Sequence, residues 1–324
     1  MRVLLAAPFV GEIGWELLSW QARVRKVFRD GGFERLVVLG AAGRTAFYAD
    51  MPLTYRVVDL SGLPGTAYED RRLAEHPRRP IAAEVIRERL AGVVAEAAGE
   101  QRANGATVEV LWPAYAGRLW PCDAAHQAFI RFERRPGEPL AAPWVALVRR
   151  TRRFREADNW PAEHWTELRE LLARQGIRAD FYPDQAEAAI ELLTGCDLAV
   201  GQSTGGLHLA ALCGCPAVVW AQPDGYRASP WQMTDRQRYQ TLWNPLGTAV
   251  DFHGLVRQPG PREVAEWVRR ALARIGRRTG SRLAGLAFRC RWRTRGFIDR
   301  AVVRRPSFQH WPWAVQRFVR YSLV

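Results

Sequence analysis

The chain has 324 residues, enough for two domains of ordinary size, and 48% of them are hydrophobic, so a core can form without disulfide or metal staples. Net charge is +14, yet thirteen arginines against one acid, Asp299, fall between Ala273 and Val324, so that segment carries +12 and the 272 residues before it only about +2. No apolar run approaches the roughly 18 residues that a spanning helix needs, and Cys122, Cys196, Cys213, Cys215 and Cys290 form neither a paired framework nor a metal-spaced set.

The opening Met1-Arg2-Val3-Leu4-Leu5 runs directly into a strand pattern without a small-residue cleavage site, the start expected of a cytoplasmic protein. Arg2 to Ala7 reads as an apolar strand closed by Pro8. The turn Phe9-Val10-Gly11-Glu12-Ile13-Gly14-Trp15-Glu16 leads into a helix through about Phe28, with Leu17, Leu18, Trp20, Val24 and Val27 on one face. Leu36 to Leu39 is wholly apolar, as a central parallel strand should be. After the Gly40–Gly43 turn and a short helix from Arg44 to Tyr48, the alternating Tyr55 to Leu60 reads as a third strand. Residues 61 to 80 are a Gly-, Pro- and charge-rich loop, Ile81 to Ala98 a helix, and Val108 to Trp112 a strand. The segment holding Trp112, Tyr115, Arg118 and Trp120 suits either sugar stacking or loop packing. Glu133 to Pro143, with three prolines, is the expected linker.

Trp144 to Val148 opens the second half as an apolar strand, followed by Arg149, Arg150, Arg152, Arg153 and Arg155. Guanidinium groups donate paired, planar hydrogen bonds that match a diphosphate, so at least one of Arg149, Arg150 and Arg153 is expected to reach phosphate; a solvated basic loop is the other reading. Trp160-Pro161 to Trp165 begins a helix, with Pro161 in its first turn, and Glu163 to Gln175 continues it to Gly176. A short strand ends at Phe181-Tyr182, and a helix from Gln185 to Thr194 feeds Asp197.

Leu198 to Val200 then ends a buried strand, Gly201-Gln202-Ser203-Thr204-Gly205-Gly206 is a tight polar turn, and Leu207, Leu209, Ala210 and Leu212 give a short helix that Gly214 stops before the strand Pro216 to Ala221. Ser203 or Thr204 can cap that helix, and Gly205 and Gly206 let a ligand approach the backbone N–H groups of its first turn. An ordinary strand-to-helix connection would use the same residue types. Gln222-Pro223-Asp224-Gly225 lies at the C-terminal end of its strand, where open α/β sheets keep their ligands, which makes Gln222 and Asp224 binding candidates. Arg262 to Ile275 is amphipathic and closes this half.

Asp197, the run Ser203-Thr-Gly-Gly-Leu-His208-Leu-Ala-Ala211, Gly214 and Pro216 resemble the nucleotide-sugar motif of the heptosyltransferase-like glycosyltransferases, family 9, typically D-T-G-x-x-H-L-A-A-A-x-G-x-P. The Gly11-Glu12-Ile13-Gly14 turn is similar to the G-D-I-G-D turn that opens the same family, and Trp160-Pro161 to Trp165 to its W-P-x-x-x-W helix start. The resemblance covers roughly residues 1 to 275. It implies an α/β, GT-B-like fold: two Rossmann-like domains with parallel sheets facing across a cleft, at 1–138 for the acceptor and 139–275 for the nucleotide sugar. It also implies metal-independent and inverting transfer from a nucleoside-diphosphate sugar; taken with the readings above, the donor candidates are Arg149, Arg150, Arg153, Ser203, Thr204, Gly205, Gly206, His208, Gln222 and Asp224. No cofactor is expected. The family's first acid falls on Glu12 and its second on Trp15, leaving Glu16 as the nearest replacement, while Ser203 stands where the family has an aspartate. Glu12 and Glu16 are the candidate bases, since the acceptor hydroxyl must lose a proton; acids at a helix start also simply complement its dipole.

Residues 276–324 form a basic tail in which Phe288, Trp292, Phe297, Trp311, Trp313 and Phe318 are interleaved with arginine. Such a mixture fits a helical segment lying on an anionic membrane surface through 281–324, with packing on the first domain as the bland reading and nucleic acid as the weakest. The expectation is a peripheral enzyme of the inner membrane face, acting on a cell-envelope glycan or lipid-linked acceptor. The rivals are a sugar-nucleotide epimerase and a degenerate membrane- or nucleic-acid-binding protein on the same fold.

Overall fold

The computed structural model describes residues 1–60, 63, 83–113, 126–134, 142–151, 156–221, 234–240 and 243–278. Two sheets, each wholly parallel, organise them. The first contains β1 (Arg2–Ala6), β2 (Arg35–Gly40), β3 (Leu53–Val57) and β4 (Thr107–Leu111) in the order β3-β2-β1-β4. The second contains β5 (Trp144–Val148), β6 (Arg178–Phe181), β7 (Leu198–Gln202), β8 (Ala217–Ala221) and β9 (Val250–Gly254) in the order β6-β5-β7-β8-β9. Their helices are α1 (Ile13–Trp15), α2 (Gln21–Asp30), α3 (Ala83–Ala103), α4 (Ala162–Arg174), α5 (Ala186–Gly195), α6 (Gly205–Leu212), α7 (Asp235–Gln240) and α8 (Pro261–Arg278). This is the doubly wound α/β arrangement expected from the alternating strand and helix patterns.

Strand order fixes where a ligand can sit. In the first sheet the chain steps outward from β1 to β2 and β3, then returns to the other side of β1 as β4. In the second it steps from β5 to β6, then crosses to β7. At such reversals the connecting loops diverge and leave a crevice at the strands' C-terminal ends. The turn carrying Glu12 follows β1, and the turn carrying Ser203 and Thr204 follows β7, so each is beside a reversal.

One apolar cluster runs through both halves, joining Leu17, Leu18 and Trp20 to Ala189, Leu207 and Leu209. The segment from Ala128 to Arg134, which enters the start of the expected linker, straps the two together. Ala128 N–H donates to the Ala22 carbonyl at 2.9 Å, and Phe132 N–H donates to that of Leu212 at 3.1 Å. Arg134 donates to the carbonyls of Cys196 and Gly214, complementing the C-terminal ends of α5 and α6. Residues 135–141, the expected boundary at 138/139 and the basic tail lie outside the described residues. Among the described residues no helix is long and apolar enough to cross a membrane.

Several elements depart from expectation. β7 does not stop at Val200: Gly201 and Gln202 pair with Val148 and Trp220, so the polar turn shrinks to Ser203 and Thr204. Glycine at 201 serves close strand approach, since a Cβ there would lie 2.3 Å from the Val148 carbonyl oxygen. The third strand is Leu53–Val57 rather than Tyr55 to Leu60, because Gly40 at the end of β2 pairs with Val57 and no residue of β2 remains to pair with Asp59 or Leu60. α3 runs on to Ala103, past the expected end at Ala98. α7 and β9 carried no recognised pattern; β9 (VDFHG) is an edge strand with only Phe252 buried.

Candidate functional site

The turn after β7 is set by its neighbours. Ser203 N–H donates to the Trp220 carbonyl at 3.1 Å, and the buried Gln202 accepts from Trp160 N–H at 2.8 Å while donating to the Asp158 carbonyl at 2.7 Å. Thr204 occupies the N-cap position of α6 in extended conformation (φ −158°, ψ 165°), and its carbonyl accepts from Leu207 and His208 N–H. The expected side-chain cap is absent at Thr204, whose hydroxyl makes no hydrogen bond to the helix start. Ser203 is engaged elsewhere, accepting from the Tyr239 hydroxyl at 3.2 Å. Among the described residues no acceptor faces the N–H groups of Gly205 and Gly206, which carry the positive end of the helix dipole. Ser203, Thr204 and Gly205 are half-buried, whereas Gly206 packs under Val148 and the Tyr182 ring.

The two turns meet. A Cβ on Gly205 would lie 2.6 Å from Ile13 Cγ2 and 3.1 Å from the Gly14 nitrogen; a Cβ on Gly14 would lie 2.6 Å from His208 Nδ1. His208 is buried there, stacked on Trp243 with ring centroids 4.8 Å apart. Glu12, half-buried, precedes α1 and accepts from Trp15 and Glu16 N–H through its carbonyl, at 3.0 and 3.2 Å.

Glu16 is placed differently. It begins a π-helical turn, Glu16–Trp20, and is 3% exposed. Its Oε2 pairs with Arg44 and its Oε1 accepts from the Tyr48 hydroxyl at 3.2 Å. Burial, then the negative charge of Glu16, pushes the Tyr48 phenol well above its ordinary range. Burial alone would lower the Arg44 guanidinium, but Glu16 outweighs it and raises it. The widened turn has its own side-chain partners, with Gln21 donating to the Leu17 carbonyl and Gln127 to that of Leu18 at 3.2 Å.

The arginines after β5 diverge. Arg149 lies over the Phe181 ring, 4.4 Å from its centroid, on the β6 side. Arg150, more buried, faces Asp158 at 4.0 Å. Arg153, Gln222 and Asp224 fall outside the described residues, as do Tyr115, Arg118 and Trp120. The structure thus brings Glu12, Gly14, Ser203, Thr204, Gly205, Gly206 and His208 into one region, and turns Glu16 and Arg149 toward other partners. Sequence reading missed Tyr239, Trp243 and Arg44. Tyr239 and Trp243 stand four apart, the spacing of a helix face, and that was the available signal.

No family model matches the chain, and no curated protein does. Solved structures do. The E. coli ADP-heptose LPS heptosyltransferase II is 16% identical, with 85% of this chain and 99% of that one covered and a TM-score of 0.48. A glycosyl transferase of family 9 from Veillonella parvula is 11% identical over 85% and 96%, with a TM-score of 0.47. The E. coli heptosyltransferase WaaC with ADP is 15% identical over 85% and 100%, with a TM-score of 0.44.

Proposed function

We propose that the chain is a metal-independent glycosyltransferase taking its sugar from a nucleoside-diphosphate sugar. One observation carries the reading: the Ser203–Gly206 turn, at the reversal of the second sheet, touches the Glu12–Gly14 turn at the reversal of the first. The diphosphate sits at the start of α6, on the N–H groups of Gly205 and Gly206 with Ser203 and Thr204 beside it, and Arg150 supplies positive charge. Arg153, His208, Gln222 and Asp224 complete the donor side in this reading, while Arg149 serves β6. Glu12 takes the proton from the acceptor hydroxyl as its oxygen bonds to the anomeric carbon, and the nucleoside diphosphate leaves from the opposite face with inversion. The helix dipole and guanidinium stabilise the charge that develops on it. Glu16, paired with Arg44 and Tyr48, supports the turn rather than acting as the base.

The test is release of nucleoside diphosphate in the presence of cell-envelope acceptor, with EDTA expected to leave the rate unchanged. Glu12→Gln is expected to lower kcat by roughly 10²–10⁴-fold while donor affinity survives. Full activity of that variant would overturn the assignment. For the tail we propose an anionic membrane surface at the cytoplasmic face, bringing the enzyme to a lipid-linked or envelope glycan acceptor. Replacing Arg289, Arg291, Arg293 and Arg295 by Gln in the full chain should reduce its flotation with anionic vesicles; unchanged flotation would remove that part of the proposal.

A further inference from the structure

Ser203 differs chemically from the acid that the resembling family carries at this place. A carboxylate there is a charged acceptor; a hydroxyl has one proton to give and lone pairs to receive. In the structure its oxygen receives the proton of the Tyr239 hydroxyl at 3.2 Å. Tyr239 projects from α7, is 2% exposed, and is held by aromatic rings: Trp243 edge-on at 5.1 Å, Phe252 at 5.7 Å and His208 at 5.9 Å between centroids. Rings so packed have little rotational freedom, so the phenolic oxygen is fixed in place. Ser203 itself is half-buried, in the turn that precedes α6.

We infer that Tyr239 is a positioning residue for the donor diphosphate, orienting the Ser203 hydroxyl so that its proton is given to a phosphate oxygen. The inference rests on the transferase reading above and deepens it by naming what readies the turn for an anion. With the Tyr239 proton spent on the Ser203 oxygen, the serine proton is the one left to donate outward, and donation to an ionised phosphate strengthens both bonds of the chain. The same rings tie this pair to the first half, because His208 lies against both Gly14 and Trp243.

The experiment is calorimetric titration of the full chain with ADP, UDP, GDP and dTDP, and with the corresponding nucleosides. Tyr239→Phe keeps the ring and removes one oxygen; it is expected to weaken the diphosphate that binds by about 5- to 10-fold and to leave nucleoside affinity unchanged. Ser203→Ala should lose the same factor, and the double variant no more than either alone, since the two hydroxyls act as one unit. Undiminished diphosphate binding in Tyr239→Phe, equal weakening of nucleoside, or additive losses in the double variant would overturn the inference while leaving the donor site standing. Absence of diphosphate binding in the unaltered chain would instead overturn the transferase reading, and this inference with it. Should Tyr239→Phe not fold, Ser203→Ala with the same ligands decides whether the hydroxyl contributes at all.

Discussion

The turn after β1 and the turn after β7 have the same geometric task, carrying a parallel strand's C-terminal end into a helix, yet they are held in opposite ways. The first is locked by polar groups taken out of water: Glu16 on Arg44 and Tyr48, Gln21 and Gln127 on the carbonyls of the π-helical turn. The second is locked largely by close approach of backbone and rings: Gly201 against Val148, Gly206 under Val148 and Tyr182, Tyr239 and Trp243 against His208. A polar lock fails when one partner is removed and the other stays buried. A steric lock fails when a single methyl is added.

The largest effect is therefore expected from Gly201→Ala. Its Cβ would meet the Val148 carbonyl oxygen at 2.3 Å and the carbonyl carbon at 3.2 Å, both backbone atoms of a paired strand that cannot move without breaking the register. The cost should reach about 3 kcal/mol or more, at the upper end of overpacking penalties, read as a lowered urea midpoint. A midpoint like that of the unaltered chain would mean that β5 and β7 are farther apart than described.

Glu16→Gln comes next and probes the polar lock. It leaves the Arg44 guanidinium, with a side chain 20% exposed, without its counter-charge. Breaking a fully buried pair costs roughly 3–5 kcal/mol; residual exposure of Arg44 and a surviving acceptor for Tyr48 bring the expectation down to about 2 kcal/mol. Glu16→Gln combined with Arg44→Met should recover part of that loss, because no charge then stays buried. A loss of turnover in Glu16→Gln with stability untouched would return Glu16 to the list of candidate bases.

The same contrast explains what the sequence disclosed. Val37, Val38, Val145, Leu147, Val218 and Val219 announce buried strands because burial on both faces demands unbroken apolar runs. Gly205 and Gly206 suggest room for a ligand beside the backbone, whereas the close neighbours the structure shows at these glycines are Ile13 and Gly14 at one and Val148 and Tyr182 at the other. Gly201 and Gln202 suggest a turn because glycine and glutamine are poor strand residues; what keeps them in β7 is Val148, Trp160 and Asp158, remote in sequence. Glu16 looked available for catalysis because its partners, Arg44 and Tyr48, are 28 and 32 residues away. The Tyr239–Ser203 contact spans 36 residues and left no local trace.

Gly14→Ala places the same added methyl across the junction instead of within a sheet. The Cβ would press on His208 Nδ1 at 2.6 Å, a side-chain atom rather than the backbone of a paired strand. Stability should fall by under about 1 kcal/mol, within what a side-chain shift can absorb, whereas in the proposed transferase turnover should fall by roughly 10²-fold, the loss expected when a base is misplaced from the donor by about 1 Å. A stability loss as large as that of Gly201→Ala would show the junction to be as rigid as the sheet.

The smallest effect concerns acid. Arg25, fully buried in α2, grips Asp50 with Nη2–Oδ1 at 2.7 Å and also donates to the Phe47 and Ala128 carbonyls. Burial pushes the Asp50 carboxyl up, but the hydrogen bond and charge of Arg25, with Arg29 beyond, outweigh it and hold it below its ordinary value. A carboxyl depressed in the folded state contributes stability that is fully present above the unfolded value, about 4, and is lost as pH falls through the folded one. Asp50 retains 29% side-chain exposure, so the contribution at neutral pH should be only about 1 kcal/mol. Urea midpoints of the unaltered chain and Asp50→Asn should differ at pH 7 and draw together as the pH falls below the unfolded value and on through the lower folded one. A gap that stays constant with pH would mean that Arg25 is held by its carbonyl acceptors and Gln21 alone, and that the first half's polar lock does not depend on this charge.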